Sequence, residues 1–225
     1  NRSYSSRIRG TEKVIPINKD WRVIMKIGFI LTLLPFCLKA EFLRLSWPTP
    51  NPAFAKGMGY SAFIQKTGPD KEFSSGVFGC VRNNGFKFHE GLDLYPVRRD
   101  AKGRAEDRVF AAMKGTVTYI NTNSAYSAYG KYLVLEHSDL QPSLYSLYAH
   151  MASFEPNLRL GSTVDVAKPL GKMGNSASYP IPLERSHLHF EIGLRLTDDF
   201  QAWFSRKAFK TPNRHGNYSG FNLVG

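Results

Sequence analysis

The densest chemistry in the sequence lies in Ser186-His187-Leu188-His189-Phe190-Glu191-Ile192-Gly193. Apolar Leu188, Phe190 and Ile192 alternate with polar His187, His189 and Glu191, which predicts a β-strand. Residues two apart in a strand point to one face, so both imidazoles and the carboxylate project together. The two histidine Cα atoms would lie roughly 6.6 Å apart, near enough to serve one site in different roles. A half-buried strand whose solvent face carries two histidines is the plainer alternative. A second cluster is His89-Glu90-Gly91-Leu92-Asp93. On an ideal strand His89 and Asp93 would be about 13 Å apart, too far to share an ion, but Gly91 permits a bend or bulge between them. A helical His-Glu-x-x-His reading fails because position 93 is Asp and Gly91 weakens a helix. Tyr148-Ala149-His150 ends another apolar run with a further histidine.

These residues need strands to position them. From Gly76 onward the chain reads as short strands punctuated by turns, with no long amphipathic helix before Leu196. Val109–Met113 and Thr116–Ile120 flank Lys114-Gly115 and predict a hairpin. Tyr132–His137, Ser143–His150, Thr163–Val166 and Pro169–Gly171 supply further strands and turns. The class is mainly β and antiparallel, a sandwich-like single domain with loops long enough to carry a site. Pro48, Pro50 and Pro52 mark an irregular arm whose Trp47 and Phe63 are expected to pack onto it. Beyond the strands, Asp198 or Asp199 is expected to cap a short helix with Phe200, Trp203 and Phe204 on one apolar face, docked on the β core.

His89-x-x-x-Asp93, Tyr148-Ala149-His150-Met151 and His187-Leu188-His189-Phe190-Glu191 occur in the order seen in the lysostaphin-like (LytM-type) zinc endopeptidases. Three co-ordered motifs are far more specific than any one alone. Gly115-Thr116-Val117, Glu136-His137 and Pro169-Leu170-Gly171-Lys172-Met173-Gly174 also resemble that family's framework, and the likeness covers roughly Gly76 to Leu194. The resemblance implies one zinc ion per chain held by His89, Asp93 and His189, with His150 and His187 as a catalytic, non-ligating pair. It implies hydrolysis of peptide cross-links in bacterial peptidoglycan, as remodelling or lysis. Relatives that bind wall or regulate amidases without catalysis characteristically lose several of these five residues, which are all present here. Glu191 is either an orienting partner for an imidazole or a solvated carboxylate. His137 and His215 fall outside the implied site, and Tyr145, Asn175 and Ser176 are candidates for a groove. The stretches Asn121 to Gly130 and Asn175 to Ser186 look longer than in the family and are expected to border the substrate.

Composition bounds the setting. The 225 residues carry a formal net charge of +12. The first forty hold eight Lys/Arg and two Asp/Glu, a balance of +6, leaving +6 for the remainder. That suits an anionic polymer, whether nucleic acid, membrane surface or cell wall. A basic nucleic-acid-binding β domain would explain the charge but neither the ordered histidines nor the start of the chain, so no nucleic-acid partner is expected. Met25-Lys26 followed by an apolar run to Leu38 and then Ala40 reads as a secretory signal, too short to span a bilayer. The expected organisation is an upstream extension (1–24), a signal peptide (25–40), an arm (41–75), the zinc endopeptidase β domain (76–197), and a helix and tail (198–225). The expected product is exported to the periplasm or the medium, without stable membrane insertion. Cys37, preceded by bulky Phe36, does not resemble a lipidation site. Cys80 would then stand alone, without a disulfide, as a small buried hydrophobe.

Overall fold

The computed structural model describes residues 44–225 except 69–71, 83, 86 and 141. The expected upstream extension, the signal segment with Cys37 and the first residues of the arm lie outside the described residues. No helix among the described residues is long and apolar enough to cross a membrane.

The fold is mainly antiparallel β with one short α-helix. The strands are β1 (Val81–Arg82), β2 (Lys87–Phe88), β3 (Leu92–Leu94), β4 (Arg108–Phe110), β5 (Gly115–Asn121) and β6 (Tyr132–His137). They continue as β7 (Leu144–Ala149), β8 (Met151–Phe154), β9 (Thr163–Val164), β10 (Pro169–Met173), β11 (Leu188–Arg195) and β12 (Leu223–Val224). A large sheet runs β12-β11-β7-β6-β5-β9, with β3 also paired to β11. Thus one edge of β11 is shared, β3 taking Leu188–Phe190 and β12 taking Leu194 and Arg195, while β7 occupies the other. A three-stranded sheet runs β4-β10-β8, and β1 and β2 form a separate hairpin.

Side-chain alternation divides the large sheet's two faces. Leu133, Leu135, Tyr148, Leu188 and Phe190 turn one way and share a core with Val109, Met151, Leu170 and Met173 of the small sheet. Tyr132, Val134, Tyr145, Leu147 and Ala149 turn the other way and are covered by Leu223 and Tyr218 of the tail. The second cover explains why β6 and the first half of β11 are buried on both faces rather than half-exposed: His189 is 4% exposed and Glu191 only 1%.

Several local expectations are corrected. Val109–Met113 does not pair with Thr116–Ile120. Instead β4 joins β10 and β5 joins β6. Ala111, Ala112 and Met113 cross between the sheets, fully buried, with their amides answered at a distance: Ala111 N donates to Lys168 O and Ala112 N to the Tyr148 hydroxyl. Two-sided burial explains the apolar run without a hairpin. Helix α1 (Phe200–Arg206) does follow Asp199, but neither acid caps it. Asn217 Oδ1 accepts from Phe200 N at 3.1 Å, a role no local pattern announces. The apolar stripe of α1 meets the tail rather than the β core, Trp203 and Phe204 lying tilted against Phe221 and Phe209. Cys80 is partly exposed, since it sits in the turn before β1. Trp47 does pack as expected, stacked on Phe54 at 4.3 Å and edge-on to Phe63 at 5.3 Å.

Candidate metal centre and groove

Three elements converge on one face of β11. Pairing places Asp93 of β3 directly opposite His189 of β11, and Ala149 at the end of β7 opposite His189 on the other side. The next residue, His150, has a positive φ of 58°, uncommon for a side chain with a Cβ. The amide of His150 bonds to Tyr129 O, and its backbone turns the imidazole towards β11. His89 enters from the turn after β2. Gly91 carries no positive φ; its role is close approach, because a Cβ there would lie 2.4 Å from the Phe190 carbonyl oxygen.

The result is a group His89, Asp93 and His189, each offering a ligand atom within 4.8 Å of the others and each buried. Asp93 Oδ1 lies 3.1 Å from His89 Nε2 and 3.0 Å from His189 Nδ1. His187 Nε2 stands 3.5 Å from the same oxygen, and the rings of His150 and His187 are 4.7 Å apart between centroids. All five residues anticipated from the sequence therefore occupy one place.

The opposite edge of each imidazole decides which nitrogen faces inward. His89 Nδ1 meets Val77 O at 2.9 Å, and His150 Nδ1 meets Ser176 O at 2.7 Å. His187 Nδ1 meets Arg185 O at 2.7 Å, and His189 Nε2 meets Glu191 Oε1 at 2.8 Å. Carbonyl and carboxylate oxygens only accept, so the ring nitrogen facing each must carry the proton. The remaining nitrogens of His89, His187 and His189 face inward, within 3.5 Å of Asp93 Oδ1. Such pinning of the outer nitrogen is the usual support of a metal-bound histidine. Glu191 is thus an orienting group, held in turn by the Tyr145 hydroxyl at 2.7 Å. Tyr145 is buried behind Glu191 and lines no groove, and Asn175 and Ser176 act from behind as well: Asn175 ties its loop to Ile181 O, and Ser176 offers its carbonyl to His150.

Electrostatics agree with a site built for a cation. Burial alone would raise Asp93, but His187 and hydrogen bonds from His187, His189 and His89 hold it well below the usual carboxylate range. Burial would lower His189, yet Asp93 and Glu191 on its two sides push it up to about 10. A buried imidazole between two carboxylates calls for positive charge, which a divalent ion supplies as readily as a proton. His150 goes the other way, lowered well below its ordinary value by burial and by the neighbouring His187 and His189. Its neutral form is favoured there.

The site opens into a groove of about 430 Å³. Tyr126 to Tyr129 and Tyr179 to Pro182 border it, as expected of the two long loops. His215 and Ser219 to Phe221 of the tail also line it, which no motif indicated. Arg99 is a further support that sequence reasoning missed. Its guanidinium donates to Ser186 O at 3.1 Å and to Gln65 Oε1 at 3.2 Å, fastening the segment that leads into His187.

Residues 87–199, just over half of the chain, match the model of peptidase family M23. The chain belongs to peptidase family M23. The matched stretch contains all five converging residues, and the M23 fold accounts for the antiparallel sheets that carry them. No curated protein matches the chain. Among solved structures it is similar to Csd3 of Helicobacter pylori, at 21% identity and a TM-score of 0.42, over 67% of this chain and 30% of that one. It is also similar to the catalytic domain of a variant of EnpA, a prophage-encoded M23 protein of Enterococcus faecalis: 19% identity, TM-score 0.40, over 58% and 79%. The catalytic domain of the antimicrobial peptidase lysostaphin from Staphylococcus simulans gives 21% identity and a TM-score of 0.37, over 52% and 74%. The chain thus spans less than a third of the Csd3 chain and about three quarters of the two catalytic domains.

Proposed function

We propose that this chain is an exported, zinc-dependent endopeptidase acting on peptide cross-links of bacterial peptidoglycan. Membership of the M23 family supports a metallopeptidase-type hydrolase. One observation carries the finer reading: four imidazoles whose outer nitrogens are all occupied by acceptors, three of them turning their inner nitrogens to Asp93 Oδ1 and the fourth, His150, standing beside His187.

His89 Nε2, Asp93 Oδ1 and His189 Nδ1 are the donors that would hold zinc, two neutral imidazoles and one carboxylate, a set that suits this metal and leaves a position for water. When bound there, zinc would polarise the scissile carbonyl and bring the pKa of its water towards about 7. His150 and His187 are left outside the ligand set and stand beside it, their rings 4.7 Å apart. One accepts the water proton, and the pair returns a proton to the leaving amine or steadies the oxyanion. Ser176 O and Arg185 O fix their tautomers, so neither ring must reorient before acting. The groove admits a peptide along the loops on either side.

The test is digestion of defined muropeptides by the zinc-loaded protein, with mass analysis of the products and metal content measured alongside. One zinc per chain and cleavage at a peptide bond, both abolished by chelation, are expected. Zinc bound without any hydrolysis would replace this reading with a noncatalytic wall-binding member of the same fold.

A further inference from the structure

On one side of the metal ligands the groove wall is cationic. Arg82 and Lys87 both line it and are directly opposed across the β1–β2 hairpin. Like charges at a paired position repel, a cost that this two-residue-per-strand hairpin bears. Lys87 makes no hydrogen bond or ion pair with any described residue, and the buried Nε of Arg82 has no partner either. Arg185 reaches the same spot from the opposite loop. Thr67 joins the two arginines: its Oγ1 accepts from Arg82 at 2.9 Å, and its carbonyl accepts from Arg185. Tyr179, on this wall too, feels both guanidinium charges. The anion in contact here is Asp93, whose Oδ2 lies 3.1 Å from Arg82. Its charge is also claimed by the metal centre. The other acid lining the groove is Glu90. Arg82, Lys87 and Arg185 therefore all line the groove beside the candidate metal centre, and Asp93 is the carboxylate in contact with Arg82.

We propose that Lys87 and Arg185, with Arg82 behind them, form a subsite for a substrate carboxylate next to the scissile bond. The inference rests on the peptidase reading above and narrows its substrate class to acidic peptides, as opposed to uncharged glycine-type bridges. In a peptide that carboxylate has two sources, a free chain end or an acidic side chain. Guanidinium and ammonium donors bind either through charge-assisted hydrogen bonds.

Three synthetic peptides sharing one scissile bond separate the cases. One carries a terminal α-carboxylate beside the bond. The second carries a side-chain carboxylate there and an amidated end. The third has carboxamides at both places. Binding to the zinc-loaded full chain is measured by calorimetry, and hydrolysis by product mass. One of the acidic peptides is expected to bind about ten-fold more tightly than the carboxamide, and which one names the source. In Lys87→Gln, Arg185→Gln and the double variant, that ratio should fall stepwise towards one. Equal binding of all three peptides by the parent protein overturns the proposal, as does a ratio that survives the double variant. If carboxylate selectivity is present but nothing is hydrolysed, the endopeptidase reading fails while the subsite stands. Hydrolysis without selectivity reports the reverse.

Discussion

At the scale of single residues, the site is a matter of which nitrogen points where. His187 and His189 share a strand face, yet His189 offers Nδ1 to the Asp93 and His89 group while His187 offers Nε2 from slightly farther away. Their replacement should differ in kind. His189→Ala removes a ligand and is expected to lower zinc content and hydrolysis together. His187→Ala and His150→Ala should retain most of the zinc while losing roughly 100- to 10,000-fold in turnover, the usual contribution of a positioned acid or base. Metal content and rate measured on the same preparations check this; loss of zinc by His187→Ala would move it into the ligand set. A second residue-scale prediction concerns His137, which has a structural role. Its ring is wedged between Lys114 O at 2.7 Å and Ser146 Oγ at 2.9 Å, and burial lowers its pKa below 6.5. The unfolded chain therefore takes up this proton first, and stability rises with pH between the folded and unfolded values. The contribution is complete above about pH 6.5 and is lost as pH falls through and below it. Urea unfolding of the metal-free protein across pH 5 to 8 should show a shallower acid slope in His137→Asn than in the parent, while an unchanged slope would remove His137 from the account.

At the scale of elements, the decisive event is the docking of β3 against β11, because it sets Asp93 opposite His189 over a separation of 96 residues. Gly91 makes that docking possible. A methyl group at this position would lie 2.4 Å from the Phe190 carbonyl and 2.9 Å from Glu191 Cγ, contacts that neither strand can relieve without moving. Gly91→Ala should thus cost about 1–3 kcal/mol in urea unfolding, the range for overpacking, and should also weaken zinc by displacing His89 and Asp93 from His189. Chelator competition measures the second effect. Destabilisation with unaltered zinc affinity would mean that the turn deforms away from the site. The same region shows why the preceding segment belongs with the sheet: Gln65 N donates to Asp93 O and Tyr95 N to Phe63 O, so residues around Ile64 run alongside β3 and back it.

For the whole molecule, the five converging residues were legible in the sequence through their type and strand alternation and through the order of motifs that carries the family resemblance. Gly91 was legible as a break, although its reason is close approach rather than a left-handed turn. What escaped notice was of two kinds. Backbone carbonyls such as Val77 O and Ser176 O orient two of the imidazoles, and a carbonyl has no residue signature. Long-range cover also escaped, since Ala111 to Met113 read as a strand when they are merely buried on all sides, and the tail has no periodicity to announce its place. Yet the tail closes the second face of the sheet. Leu223 pairs with Arg195 and packs on Tyr132, Val134 and Leu147, the Tyr132 hydroxyl donates to Tyr218 O, and Asn222 binds Thr197 and Leu196. Glu191 depends on this cover, because an orienting carboxylate exposed to water is screened from the imidazole that it holds. A chain shortened to residues 1–212 should therefore lose more than the ~1.5–3 kcal/mol that burial of Leu223 alone contributes. It should also hold zinc less tightly, as Glu191 and Tyr145 become wet. Denaturant unfolding and chelator competition on the shortened chain test the two consequences separately. Unchanged zinc affinity in a destabilised chain would show that the site's polar support is set within β7 and β11 alone, with the tail acting only as a lid on the apolar core.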